Sequence, residues 1–540
     1  MNDKNEKLIK FLPLIISITL AAGILLGSTI FSKKQIGGLS GGKGSTYREI
    51  LNHIKNSYVD DINVDSLSDY GIEKMLEKLD PHTAYIPAQD FEVASADLHD
   101  GFDGIGVEFN IFRDSLFVVA ALAGGPSEAI GIKSGDIIVR ADSTVLVGKK
   151  LTSEKVVKCL RGPRGSMVKL TIIRKAYKKP MDFTVKRDKI PTFSIDAAFM
   201  MDNKKTGYIK INRFAETTYD EFKKHLTGLQ KQGMQSLIID LRGNPGGYLE
   251  KATDIVDELV GGTEKIVYTK GKESSNNYEI KAGKAGIFEK GKIVVLVDEG
   301  SASAAEIVSG SLQDFDRATI VGRRTFGKGL VQAPIRLSDG SELRLTVSRY
   351  YIPSGRSIQK PYELGKQEAY MEDMHKRMKS NEMFNKDSIK TVGRLKFKTK
   401  AGKIVYGGGG ITPDIFVPQD TSYYTLFLAD LFAQNIVREF TTKYSISHFK
   451  DLKAMGFSAY QSSQAVQANL LTEFKAFASK NSKKYSEAEF IKVRGYLSQN
   501  LMALVARNIW KENEKMGLNN EYYRILLRED KMIKASVNSL

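Results

Sequence analysis

The chain has 540 residues, room for about three or four domains. With 42% hydrophobic and 26% charged residues it is not a wholly disordered protein. Its one cysteine, Cys159, excludes an internal disulfide framework and any Cys-rich zinc or iron–sulfur site. The net charge of +17 suits nucleic acid, anionic lipid or a merely lysine-rich surface without choosing among them.

Lys4, Lys7 and Lys10 precede an uncharged stretch from Phe11 to Ser32, longer than the roughly 20 apolar residues that span a bilayer. A cleaved signal peptide is the rival reading. The length of the run and the lack of an A-x-A-like site favour an uncleaved anchor over 1–34, and no cysteine stands there for a lipoprotein anchor. The basic flank puts the N-terminus in the cytoplasm, although Lys33 and Lys34 weaken that vote. A membrane-anchored, extracytoplasmic protein on the periplasm-facing side of an inner membrane is the expectation, and it argues against a nucleic-acid partner.

Residues 35–90 read as a Gly/Ser-rich tether followed by two amphipathic helical segments, YREILNHIKNSYV and YGIEKMLEKL. Between them Asp61, Asn63, Asp65 and Asp69 imitate a calcium loop. Ser66 and Ile72 stand where that loop needs glycine and glutamate, so no metal site is expected. Residues 91–178 form a β-rich module of short β-branched runs between Gly-rich turns. Over 179–420 strands and helices alternate, predicting an α/β layer with a largely parallel sheet, interrupted by a charged, loop-rich insertion at 361–405. Residues 421–540 read as a helical, lysine-rich extension. The fold class is therefore multidomain α+β.

The chemistry concentrates in the α/β region. The strand KIVVLVD runs into Glu299-Gly300-Ser301-Ala302-Ser303 and then a helix, so a serine stands beside free helix N-terminal amides. Capping is the plain alternative use of Ser301 or Ser303. The next segment, Thr325 to Gln332, sets Lys328 among glycines and apolar residues. It nearly imitates a phosphate loop, but Gly329 replaces the required Ser/Thr and a strand follows. The other use of such a lysine is as general base for a serine. Its reference pKa near 10.4 must then fall by roughly three units, which burial supplies. Gln332, four residues on, is placed to orient the amine, and the glycines after the strand LIIDLR, Gly246 and Gly247, offer a second oxyanion donor. None of the six histidines sits in a G-x-S-x-G or H-E-x-x-H context.

Taken together, LDPHTAYIP (79–87), GIGVEF (104–109), DLRGNPGG (240–247), EGSASAAEI (299–307), TFGKGLVQ (325–332), YYIPSGRSIQ (350–359) and GITPD (410–414) resemble, in content and order, the carboxy-terminal processing (tail-specific) serine peptidases with a PDZ domain. The resemblance covers about residues 47–420. It implies a crotonase/Clp-protease-like core at 179–420 and a PDZ domain at 91–178. It also implies Ser303 as nucleophile, Lys328 as base, Gln332 as its orienting partner, and an oxyanion hole from Ala304 with Gly246 or Gly247. Glu306, Asp314 and Thr325 are supporting residues, and Gly104, Ile105, Gly106 and Val107 form the loop for a peptide carboxylate. No metal or other cofactor is implied. The implied substrates are proteins with flexible, apolar C-termini. The helical extension, outside the resemblance, is expected to serve as an oligomerisation arm, adaptor dock or lid. A catalytically silent PDZ scaffold, a Ser–His hydrolase of small esters or amides and a crotonase-like acyl-CoA enzyme are the alternative readings.

Overall fold

The structure, a computed structural model, describes residues 43–540 except 97, 99, 100, 123, 175, 176, 178, 284, 391, 392 and 511–516. The expected membrane anchor at 1–34 lies outside the described residues. Among the described residues no helix is long and apolar enough to cross a membrane. Residues 43–78 belong to a unit of their own, with helices Lys43–Ser57 and Val64–Leu76. Asn63 caps the second helix, its side chain accepting from the amides of Asp65 and Ser66. Capping thus accounts for part of the Asp/Asn run that imitates a calcium loop.

From Leu79 onward the chain is a second unit. Its β-rich module is a sheet in the order Val107–Phe112, Ser115–Ala121, Ile137–Ala141, Met167–Ile173, Met181–Lys186, with helix Ser153–Leu160. Gly101–Gly104 pairs with Asp188–Pro191. The module therefore runs past residue 178, where the sequence pattern breaks, because the antiparallel partner of Met167–Ile173 comes after that break.

The following sheet has the order Ile195–Met200, Thr206–Ile211, Ser236–Asp240, Lys292–Val297, Ala318–Gly322, Ile415–Phe416, and only its first pair is antiparallel. Successive residues of a strand face opposite sides. Leu237, Ile239, Ile293, Val295 and Val297 accordingly face helices Thr218–Lys231, Leu249–Asp257 and Ala304–Asp314. Ile238, Val294, Leu296 and Val321 point the other way. A second sheet, antiparallel, joins Ala84–Ile86, Glu342–Tyr351, Lys265–Gly271 and Glu279–Lys281, with Leu330–Arg336 also on Glu342–Tyr351. Helix Ala304–Asp314 is buried along its whole length, and Ser311 Oγ donates to Ile266 O of this second sheet. The alternating pattern gave the first sheet but not the second, whose strands come from distant parts of the chain.

The insertion expected to be loop-rich carries two short helices, Gln367–Met371 and Asp373–Lys379, and the hairpin of Lys396–Lys398 with Ile404–Tyr406. In the C-terminal extension, helices from Leu426 to Trp510 surround a core of their own. They meet the β-rich module through Arg113–Glu439 (3.0 Å) and Arg507–Glu108 (2.9 Å). The last helices, Asn520–Leu526 and Lys531–Ser539, lay Leu527, Met532 and Ile533 on Tyr208, Ile238, Leu296 and Val321. The end of the extension is therefore the second cover of the parallel sheet, a role within the chain that residues 421–540 by themselves do not reveal. Met532 is 6% exposed, and Met532→Ala is expected to cost about 2–5 kcal/mol of stability. A denaturant midpoint unchanged from the parent would remove this helix from the core.

Candidate active site

Strands Ser236–Asp240 and Lys292–Val297 are parallel neighbours, so the loops that leave their C-terminal ends lie side by side. Asp298 ties them, Oδ1 accepting from the amides of Gly243 (2.8 Å) and Gly300 (3.0 Å). Ser301 Oγ donates to Leu241 O, and Ala302 N to Asn244 O. Ser301 is thus spent on joining loops. Ser303, half-buried, precedes helix Ala304–Asp314 with φ 54° and ψ −115°. A side-chain-bearing residue held there costs about 1–3 kcal/mol, and such strain clusters at functional positions. Gly246 passes so close that a Cβ on it would meet Ser303 Cβ at 2.7 Å and Ala304 N at 3.0 Å.

The geometry brings Lys328 to the same place. Glu306, fully buried, has one oxygen accepting from Ser303 N (2.9 Å) and Lys328 N (2.8 Å). Its other oxygen accepts from Gly327 N and Thr325 Oγ1. Tyr350 Oη reaches the carbonyl oxygens of both Ser303 (3.2 Å) and Lys328 (2.5 Å). One carboxylate and one phenol therefore set the distance between the two segments. Burial raises the Glu306 carboxyl above its ordinary value, against the pull of its four donors.

Lys328 Nζ donates to Gln332 Oε1 at 2.8 Å, and Gln332 Nε2 donates to His82 O. Burial lowers the amine's pKa from its ordinary value, the nearby Asp80 and Glu306 charges opposing this only in part. Thr325 is buried and accepts from Ile411 N while donating to Glu306. Asp314, at the far end of the helix, pairs with Arg356 (2.8 Å) and accepts from Ser354 N. It holds the turn after Tyr351 and stands apart from Ser303 and Lys328.

Of the two candidate glycines, Gly246 donates its N–H to Asn244 Oδ1 (2.8 Å). That amide is engaged. Gly247 bridges Phe214 in parallel, with Gly246 O and Tyr248 N taking the two hydrogen bonds, so its own N–H points away from Phe214. Ala304 opens its helix and has no intrahelical acceptor for its N–H.

In the β-rich module, Gly104, Ile105 and Gly106 are buried, with Val107 starting an edge strand. Ile105 O accepts from Ser127 N and Oγ, and Gly106 O from Leu122 N. These bonds pin the loop by its carbonyls. Gly106 has φ 72°, and a Cβ there would meet Ile190 and Pro126.

Sequence reasoning did not single out Tyr350, His82 or Tyr370. The motifs YYIPSGRSIQ and LDPHTAYIP contain the first two, but only the fold brings them to Lys328.

Residues 205–365 match the model of peptidase family S41, and residues 427–511 match a family of unknown function, DUF8443. A carboxy-terminal-processing protease of Bartonella bacilliformis is 32% identical over 352 residues, 63% of this chain and 80% of that protein. Among solved structures, a photosystem II D1 C-terminal processing protease is 24% identical over 70% of this chain and 89% of its own, with a TM-score of 0.35. The PDZ domain of a carboxy-terminal protease from Vibrio cholerae, in complex with peptide, is 29% identical over 17% of this chain and 99% of its own, with a TM-score of 0.16. The identity to the Bartonella protein over four-fifths of its length, and the family match across the segments that hold Ser303 and Lys328, mean that the chain belongs to peptidase family S41, the carboxy-terminal processing serine peptidases.

Proposed function

We propose that the protein is a membrane-anchored, extracytoplasmic endopeptidase that cleaves proteins presenting flexible, apolar C-termini, using Ser303 and Lys328. The observation that carries this reading is the shared grip of Glu306 and Tyr350 on both segments, with the amine on Gln332. Lys328, neutral in the resting site, takes the Ser303 proton as the hydroxyl oxygen attacks the scissile carbonyl. The amides of Ala304 and Gly247 hold the oxyanion. The ammonium then protonates the leaving amine, and water, deprotonated by the same lysine, hydrolyses the acyl-enzyme. His82 does not serve as the base in this reading. Burial above all pushes its pKa down to about 4, and its Nε2 is engaged by Tyr370.

The tail of the substrate adds as a strand beside Val107–Phe112, the outermost strand of its sheet, its carboxylate on the turn from Gly104 to Val107. The location rests on the basic flank and apolar length of residues 4–32. The test is cleavage of one unfolded protein carrying either three apolar or three acidic C-terminal residues. The apolar-tailed form is expected to be cut about 10–100-fold faster, the worth of one or two side-chain pockets. Equal rates would remove tail capture from the function, and absence of fluorophosphonate labelling at Ser303 would remove the nucleophile.

A further inference from the structure

The insertion at 361–405 lies against the segment that carries Lys328, and its contacts there are specific. Arg377, 4% exposed, donates to the carbonyls of Arg324, Thr325 and Phe326 in succession. Lys360 Nζ sits 4.1 Å from the centre of the Phe326 ring and 3.9 Å from that of Tyr370, and it donates to Tyr370 O and Asp373. Tyr370, also 4% exposed, places its hydroxyl 2.9 Å from His82 Nε2.

These contacts complete a circuit. Lys328 Nζ bonds Gln332 Oε1, Gln332 Nε2 bonds His82 O, and the His82 ring bonds Tyr370 Oη. Tyr370 Oη accepts from Gln359 Nε2 at 3.4 Å, and Gln359 Oε1 accepts from Gly329 N at 2.7 Å. The path leaves the lysine by its side chain and returns at the next backbone amide. Asp80 fixes the other end of the His82 turn, Oδ1 accepting from the amides of His82 and Thr83.

We propose that the insertion is a working wall of the active site, in which Tyr370 is a positioning residue that holds Lys328 on Gln332 by pinning His82. This rests on the Ser303–Lys328 reading. The amine faces Asp80, Glu306 and Arg344, and His82 faces Lys360 as well as Lys328. Among these charges a lysine freed from Gln332 swings toward solvent, and its proton is then held more tightly.

The experiment compares full-length wild type, Tyr370→Phe, Tyr362→Phe and Lys328→Ala on an unfolded protein substrate across pH, with a thermal melt of each. Tyr362 is a half-buried tyrosine of the same insertion whose ring meets that of Tyr370 edge-on but whose hydroxyl lies outside the circuit, accepting from Arg349. Tyr370→Phe is expected to lower kcat about tenfold with KM within about twofold, and to move the midpoint of the pH–kcat profile upward by about half a unit or more. Fluorophosphonate labelling of Ser303 should slow in parallel. Tyr362→Phe should match wild type in all three. A Tyr370→Phe protein with wild-type kcat and midpoint overturns the proposal, and so does one whose melt alone is lowered. Wild-type turnover by Lys328→Ala would overturn the dyad itself, an outcome distinct from either.

Discussion

Lys328→Ala and Ser303→Ala are each expected to lower kcat/KM on an unfolded protein substrate by about four orders of magnitude or more, because a nucleophile and its base act as one unit. The double variant should be no worse than either single one. Neither change should harm the fold. Ser303 is half-buried in a strained conformation, and Lys328 is an amine whose burial disfavours its charged form. The pH dependence has a definite sign. The base works only when neutral, so activity rises with pH as Lys328 loses its proton. The midpoint lies below the ordinary lysine value of 10.5, because burial disfavours the ammonium. Lys328→Arg should be as inactive as the alanine variant, since a guanidinium does not become neutral in this range. The measurement is steady-state cleavage with a melting curve for each variant. Turnover within tenfold of wild type by a folded Lys328→Ala protein would dispose of the dyad.

The parts of this site that the sequence displays are those set by local chemistry. A buried strand running into Gly300-Ser301-Ala302-Ser303 announces a strand-to-helix turn, and Lys328 among glycines announces a cation with an assigned task. Alternating apolar runs announce the parallel sheet, whose strands keep their chain order across it even where strands of the second sheet intervene. The hidden parts depend on long-range pairing. Tyr350 reaches Ser303 and Lys328 only because Glu342–Tyr351 pairs with Leu330–Arg336 and Lys265–Gly271. His82 reaches Gln332 across 250 positions of chain. The insertion is rich in charge, and charge normally signals solvent. Most of that charge is exposed, but Arg377 and Glu382 of the insertion are buried, Glu382 on Arg324, and the adjacent Lys360 is buried against two rings, none of which composition shows. The covering role of the last helix is hidden for a related reason. KMIKASVNS shows only a thin apolar stripe, yet that stripe covers a sheet face.

Glu306→Gln isolates the device that sets the distance between nucleophile and base. The carboxylate presents acceptors only, and four donors converge on it: Ser303 N, Lys328 N, Gly327 N and Thr325 Oγ1. A glutamine of the same shape must turn its NH₂ toward one pair of these donors, whichever way it is flipped. If the NH₂ meets Gly327 and Thr325, the Thr325 hydroxyl can turn and accept from it with a second lone pair, beside the bond from Ile411 N, but Gly327 N is left facing a donor. A buried donor left facing a donor costs about 1–3 kcal/mol, so about that much stability is expected to be lost, read from the shift in urea midpoint. If the NH₂ instead meets Ser303 and Lys328, the two segments are pushed apart at the point where attack distance is set. A displacement of about 1 Å there is enough to lower kcat about 100-fold. The expected result is therefore a protein that folds with reduced stability, labels slowly with fluorophosphonate and cleaves at about a hundredth of the wild-type rate. Its KM for a tailed substrate should hardly change, because the proposed tail-binding turn at Gly104 to Val107 belongs to a different sheet. A Glu306→Gln enzyme with wild-type kcat would mean that Tyr350 alone holds Ser303 and Lys328 in register.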